Sequence, residues 1–344
     1  MGSRVSEIGE FELIARLAGL LGGPFPKDTV GIGDDGAIFP LPVMGSAGRL
    51  VVTTDTMIEG HHFRRDFSSF EELGAKLMAV NLSDLAAMGA APFGATVSLQ
   101  IPEDFLVEDV ELLYRGMKQM AEGSKLQILG GDTVQSPVCA FGVTAFGFTV
   151  NPLLRSTARD GDDVWVSGPI GGGGLGLALC RGEIDPASLE DCGAAGLARY
   201  RTPTPQTELG KQLSQLHLAT SAIDVSDGLL QDLGHIARLS DVDIVVSLLT
   251  LPLVVGCRSP LEAAIAGDDY ELAFTARTGE RAQIEAMDAG RTGLTRIGTV
   301  VPKVGAVGAV WLELEHGAAP IGVGQALAAV GLSERVGYQH FRGQ

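Results

Sequence analysis

At 344 residues, of which 45% are hydrophobic and 19% charged, the chain is long enough for two globular domains, each with its own core. Asp and Glu outnumber Lys and Arg by 42 to 25, giving a formal charge of -17. This balance weighs against a nucleic-acid partner, whose backbone is held by clustered Lys and Arg, but an acidic protein still binds nucleotides where metal ions offset the repulsion.

A helix is expected over 10–21, stopped by Gly22-Gly23-Pro24. After a loop carrying Asp34 and Asp35, residues 50–54 read as a buried strand ending at Asp55, with a loop over 59–63. Ser69 and Glu72 form a capping box that opens a helix running to about Met88. A strand over 93–101 and an amphipathic helix over 105–122 follow, then strands over 126–129 and 138–150 flanking a Gly130-Gly131-Asp132-Thr133 turn. Asn151-Pro152 and the polar stretch after it mark the expected boundary between domains 1–150 and 151–344. The second α/β pattern has strands over 164–166, 221–223, 269–275 and 310–314, and helices over 171–180, 228–238 and 280–288.

Neither a run of about 18 apolar residues nor a basic segment leading into an apolar one occurs, so a soluble protein without membrane contact is expected. Met1 to Ser6 formally fits a myristoylation pattern, but the segment after it reads as an ordinary helix. Cys139, Cys180, Cys192 and Cys257 lack Cys-x-x-Cys spacing, which indicates neither a zinc site nor a disulfide framework and points to the reducing cytoplasm.

Five segments place aspartate beside Gly, Ser or Thr: Gly33-Asp34-Asp35, Thr53-Thr54-Asp55, Ser83-Asp84, Gly130-Gly131-Asp132-Thr133 and Asp224-Val225-Ser226-Asp227-Gly228. Magnesium takes such oxygen donors and shares its shell with substrate phosphates. Each segment alone also reads as turn or cap chemistry. Asp84 is the sharpest of them, because it interrupts a nearly apolar helix where an unpaired carboxylate would be costly. It shares a face with Lys76 and Val80, so a salt bridge from Lys76, or a solvent-facing position, is the plainer alternative to a metal. Asp227 or Ser226 could cap the helix that follows, whereas Asp224 is harder to read as a cap. Gly168 to Gly174 form a glycine-rich strand-to-helix turn suited either to an anion or to close packing. No Gly-x-x-x-x-Gly-Lys-Ser/Thr string occurs, which excludes a conventional P-loop kinase.

Taken in order, these segments resemble the thiamine-monophosphate kinase family, part of a superfamily with aminoimidazole ribonucleotide synthetase, selenophosphate synthetase and a hydrogenase-maturation protein. The likeness also rests on Gly9-Glu10-Phe11, Glu59-Gly60-His61-His62-Phe63, Ala79-Val80-Asn81-Leu82-Ser83-Asp84-Leu85-Ala86-Ala87, Asp232-Leu233-Gly234-His235, Gly267-Asp268-Asp269-Tyr270 and Tyr338-Gln339-His340-Phe341. The resemblance implies a two-domain α/β fold, like that of aminoimidazole ribonucleotide synthetase, whose N-terminal sheets close a β-barrel across a homodimer. It also implies ATP-dependent phosphorylation of thiamine monophosphate to thiamine diphosphate with several magnesium ions. Carried over residue by residue, Asp35, Thr53, Thr54, Asp55, Asp84, Asp132, Asp224 and Asp227 would hold magnesium. Among these, Asp84, Asp132 and Asp227 would act electrostatically, with no general base. Gly131, Asp132, Arg155, Ser226 and Tyr114 would contact ATP, and His62, Asp268 and Tyr338 the thiamine substrate. The chain departs from the family in having Asp268 where Glu is usual, Gly172 where an acid is common, and Tyr338-Gln339 before the closing His-Phe where Trp-Asp is usual.

Overall fold

The computed structural model describes residues 34, 36–40, 48–189, 192–257, 259–287 and 293–331. The helix expected over 10–21, Asp35 and Tyr338 lie outside the described residues.

The N-terminal half holds strands β1 (Ala37–Pro40), β2 (Arg49–Ile58), β3 (Ala91–Ile101), β4 (Gln127–Gln135) and β5 (Ala140–Thr149), with helices α1 (Phe70–Ala87) and α2 (Val107–Gly123). The strands form one sheet in the order β1-β2-β5-β3-β4, in which only β3 and β4 pair in parallel. Its core gathers Val51, Leu77, Met78, Leu82, Leu85, Leu99, Leu113, Phe141 and Val143. The expected capping box is present: the Ser69 hydroxyl accepts from the Glu72 amide and the Glu72 carboxylate accepts from the Ser69 amide. Most of α1 is buried, because it packs on α2 and β2 and also reaches the second sheet.

Two sequence expectations change here. β2 does not end at Asp55 but continues to Ile58, so Asp55 lies inside a strand and its orientation follows the two-residue alternation. The glycine pair Gly130-Gly131 does not form a turn. It lies within edge strand β4, where a register shift between Ala95 and Thr96 absorbs the extra residue. Glycine at 131 is a matter of contact, since a Cβ there would stand 2.1 Å from the Val97 carbonyl oxygen on the neighbouring strand. Gly131→Ala is accordingly expected to destabilise the fold by about 1–3 kcal/mol, as overpacking does, measured as a lowered urea midpoint with an unchanged slope.

The second half contains β6 (Asp163–Val166), α3 (Gly172–Cys180), α4 (Cys192–Arg201), α5 (Thr207–Gln215), β7 (Ser221–Asp224), α6 (Leu229–Ser240), β8 (Val242–Ser247), α7 (Pro260–Ile265), β9 (Leu272–Ala276), α8 (Arg281–Met287), β10 (Thr295–Pro302), β11 (Val310–Glu313), β12 (Ile321–Gly322) and α9 (Val323–Ala329). Its seven strands order as β12-β11-β8-β10-β6-β9-β7. β6, β7 and β9 are buried along their whole length, which is why they read as short continuous apolar runs. The strand expected over 269–275 begins only at Leu272, because Asp268 and Tyr270 adopt left-handed backbone angles (φ 66° and 52°) and keep 268–271 in a loop.

The connection between the sheets is pinned to both. The Leu153 amide donates to the Met88 carbonyl, the Asn151 side chain donates to Ser214, and the Arg155 carbonyl accepts from the Ser221 and Ser240 hydroxyls. Among the described residues no helix is long and apolar enough to cross a membrane.

Candidate functional site

Two of the acidic segments, those of β2 and β7, are tied to α1 where it passes between the two sheets. Along β2, Thr53 and Asp55 share a face while Thr54 takes the other. The Thr53 hydroxyl donates to the Asp84 carboxylate, fixing the middle of β2 to the one acidic residue of that helix interior. One residue earlier, the buried Ser83 hydroxyl donates to Asp224 at the end of β7, 2.8 Å away. Consecutive side chains of α1 thus bind a first-half threonine and a second-half aspartate, so Asp84 and Asp224 both lie against the same turn of that helix.

Lys76 is not the partner of Asp84, which is itself half-buried. Lys76 is buried and turns instead to Asp268, 3.1 Å away, with its ammonium 4.0 Å over the Tyr200 ring. Asp268 in turn accepts a 2.8 Å hydrogen bond from the Tyr270 hydroxyl. Burial first, then the charges of Asp268, Asp55 and Asp224, raise the Tyr270 pKa well above that of an ordinary phenol, which puts Asp55 and Asp224 within electrostatic reach of that hydroxyl.

Neither Asp227 nor Ser226 caps α6. The N-cap position is taken by Gly228, at φ 125°, a backbone angle suited to glycine. The first turn is held from within, by Asp232. One of its carboxylate oxygens accepts from the amides of Ser226, Asp227 and Gly228 at 3.1, 3.2 and 3.0 Å. Burial and the neighbouring Asp227 and Asp224 raise the Asp232 pKa well above the usual carboxylate range, while the Arg155 guanidinium opposes the shift. Asp227 accepts a 2.8 Å hydrogen bond from Gln231. The Arg155 amide donates to Asp34 at 3.3 Å, so Asp34 ties the acidic loop to the interdomain connection. Asp232 carries no role in the sequence reading; its signal is an acidic residue on the otherwise apolar face of α6, which also carries Leu229, Leu233 and Ile236.

The glycine turn before α3 is already filled. Asp269 accepts from the Gly171 and Gly173 amides at 2.8 and 3.0 Å, taking the positions that an anion would use. Burial lifts the Asp269 carboxyl to about 7 in spite of those two donors. The unfolded carboxyl titrates near 4 (about 3.9), so the folded chain holds an extra proton between there and about 7. This contribution to stability is complete below the unfolded value and is lost as pH rises through the folded one. The melting temperature of the wild type relative to Asp269→Asn is therefore expected to fall as pH is raised across that window and to level off above it, as measured by scanning calorimetry.

Other expected site residues stand apart. Asp55, Val143, Val97 and Gly131 lie in one row across the sheet, with three strand spacings, about 14 Å, between Asp55 and Gly131. Asp132 falls in the next row with Thr56, Gly142 and Ser98, on the exposed face opposite Asp84, where its carboxylate accepts from the Thr133 amide. The Thr54 hydroxyl shares that face, donating to the Val143 carbonyl and pairing with Thr144. Within one chain, then, the side chains of Thr54 and Asp132 are not brought to Asp84. Tyr114 sits on α2, partly buried against the first core. His62 accepts the Ile58 amide at Nδ1, 3.0 Å away, in the loop after β2.

The donor set suits a hard cation. Asp55, Asp84, Asp224, Asp227 and the Thr53 hydroxyl are all oxygen donors, and Asp227 and Asp224 add to burial in raising the Asp232 carboxyl. Among the described residues, no three His, Cys, Asp or Glu side chains form a group placed to hold a metal ion, and Asp35, the remaining first-half acid of the expected set, lies outside those residues.

Comparison with known proteins agrees with this architecture. The model of AIR synthase related protein, N-terminal domain, matches residues 33–149, and that of its C-terminal domain matches 159–310. Thiamine-monophosphate kinase of Rhodopirellula baltica is 35% identical over 295 residues, covering 81% of this chain and 86% of the relative. The Escherichia coli K12 enzyme of the same name is 35% identical over 277 residues, covering 78% and 82%. The solved complex of AaThiL with AMPPCP and TMP superposes with a TM-score of 0.80 at 30% identity, over 99% of each chain.

Proposed function

The chain belongs to the thiamine-monophosphate kinase family, with its two-domain α/β fold, and from that premise we propose that it transfers the γ-phosphoryl group of ATP to thiamine monophosphate, yielding thiamine diphosphate and ADP. The observation that carries this reading is the Ser83–Asp224 hydrogen bond, which ties the helix bearing Asp84 to the second-half aspartate segment. A cleft lined by carboxylates repels polyphosphate unless cations are placed between them. Asp55, Asp84, Asp224 and Asp227, with Thr53 and with Asp35, would hold magnesium there. When bound, magnesium would neutralise phosphate charge and hold the donor and acceptor phosphates in line.

The chain's own groups supply position. The acceptor is itself an anionic phosphate, so no side chain has to remove a proton and electrostatic positioning carries the catalysis. The Ser226 loop, braced by Asp232, and Arg155 face ATP, while Asp268 and His62 meet the thiamine substrate. Gly131, Asp132 and Thr54 from the first sheet and Tyr114 from α2 serve the nucleotide and metal, which requires elements beyond one chain to bring the β4 edge into play. A homodimer joined through the first sheets fits the almost wholly exposed β4, with Leu129 and Val134 uncovered. The division of labour falls at 150/151, and the enzyme works in the cytoplasm.

The deciding experiment follows ADP and thiamine diphosphate together with magnesium and ATP present. Equal amounts of both products, dependent on thiamine monophosphate and absent with free thiamine, are expected. Tight magnesium-ATP binding without product would instead mark a nucleotide-binding protein that keeps the fold.

A further inference from the structure

Lys76 is the one ammonium built into the α1 cleft wall from within the helix, and its surroundings are unusual. The side chain is only 4% exposed, and its nitrogen is buried without a directed hydrogen bond, although it carries three donors. Its partners are both in the second half: the Asp268 carboxylate at 3.1 Å and the face of Tyr200 on α4 at 4.0 Å. A buried ammonium with so few partners is costly, and a hydrophobic residue would fill the same space between α1 and Tyr200 more cheaply. Asp268 adopts a left-handed backbone angle, φ 66°, that non-glycine residues seldom take. Its amide donates to the Ser226 carbonyl, one carboxylate oxygen faces Lys76, and the other accepts from Tyr270. Lys76 thus completes a three-point hold on Asp268, two points on its partly exposed carboxylate and one on its amide.

We propose that Lys76 is a positioning residue for substrate affinity: it reaches across the domain interface to hold the Asp268 carboxylate where it meets the thiamine monophosphate. This rests on the function proposed above. Because Asp268 is one methylene shorter than glutamate, its reach is set by backbone angle and by what holds its oxygens. A cation from α1 then ties substrate contact to the same helix that carries Ser83 and Asp84. Substrate affinity and the seating of the two halves are thereby linked through one side chain.

The test is a double-mutant cycle with Lys76→Met and Asp268→Asn, read as KM for thiamine monophosphate, KM for ATP and kcat. Lys76→Met is expected to raise KM for thiamine monophosphate about tenfold while kcat and KM for ATP stay within about twofold, the pattern of lost uniform binding. In the Asp268→Asn background the same change adds less than about twofold, and Lys76→Arg restores most of the affinity because it keeps the charge. An equal effect with and without the Asp268 carboxylate overturns the proposal. So does a loss confined to kcat or to melting temperature, since a merely structural lysine would produce it. Calorimetric binding of thiamine monophosphate to the wild type separates the two readings. A wild type that binds and turns over this substrate, with Lys76→Met unchanged, sinks the role of Lys76 alone. A wild type that neither binds nor consumes it sinks the function, and the role of Lys76 with it.

Discussion

Asp84→Asn lowers kcat by about 10²–10³-fold, the scale seen when a single preorganised electrostatic group is removed, and leaves the melting temperature within a few degrees of wild type. The substitution is nearly isosteric, and an amide oxygen still accepts from the Thr53 hydroxyl, so the contact between β2 and α1 survives. What disappears is the negative charge between Thr53 and the Ser83–Asp224 contact. A hard cation binds a neutral amide much more weakly than a carboxylate, so the magnesium concentration needed for half-maximal rate rises as kcat falls. Measuring turnover against magnesium at saturating ATP and thiamine monophosphate checks both effects. Near-normal turnover at limiting magnesium would remove Asp84 from the metal site.

How legible this site was in the sequence differs from residue to residue. Asp84 stood out because a carboxylate in the run Ala79 to Met88 needs a partner, and that argument depends only on local composition. The capping box at Ser69 was equally local, and the structure reproduces it. The Gly130-Gly131 segment was misread because glycine pairs usually mark turns. Here the cause was long-range: a parallel partner strand too close for any side chain at 131. Helical spacing offered Lys76 as the plainer alternative partner for Asp84, yet its charge is spent on Asp268, 192 positions away in sequence by the difference of their numbers. The Ser83–Asp224 contact could not be read for the same reason, because it exists only once α1 is seated against β7. Periodicity reports which face of an element is buried, not what lies across from it. The family resemblance supplied the order of the segments, and the structure supplied their pairing.

Asp232→Ala is the second large effect, and it separates bracing from mere stability. Three amides, those of Ser226, Asp227 and Gly228, converge on one Asp232 oxygen. Removing that acceptor leaves donors without a partner in a largely buried turn, at a cost of about 1–3 kcal/mol for each that water cannot reach. Since Gly228 is the most enclosed of the three, a net loss of about 3 kcal/mol is expected, seen as a lower denaturant midpoint. The turn also carries Ser226 and Asp227, and a displacement of about 1 Å in positioning groups is enough to cost about 10²-fold in rate. Asp232→Asn keeps an acceptor oxygen and no charge, so it should retain most of the stability while relieving the crowding with Asp227 and Asp224. If bracing is the role of Asp232, activity follows the acceptor: near wild type for the Asn variant, about 10²-fold lower for the Ala variant even at temperatures where it remains fully folded. Equal activity in both folded variants would reduce Asp232 to a stabilising residue, with the geometry of Ser226 and Asp227 fixed instead by the contacts of the Asp268 amide and Gly267 with the Ser226 carbonyl.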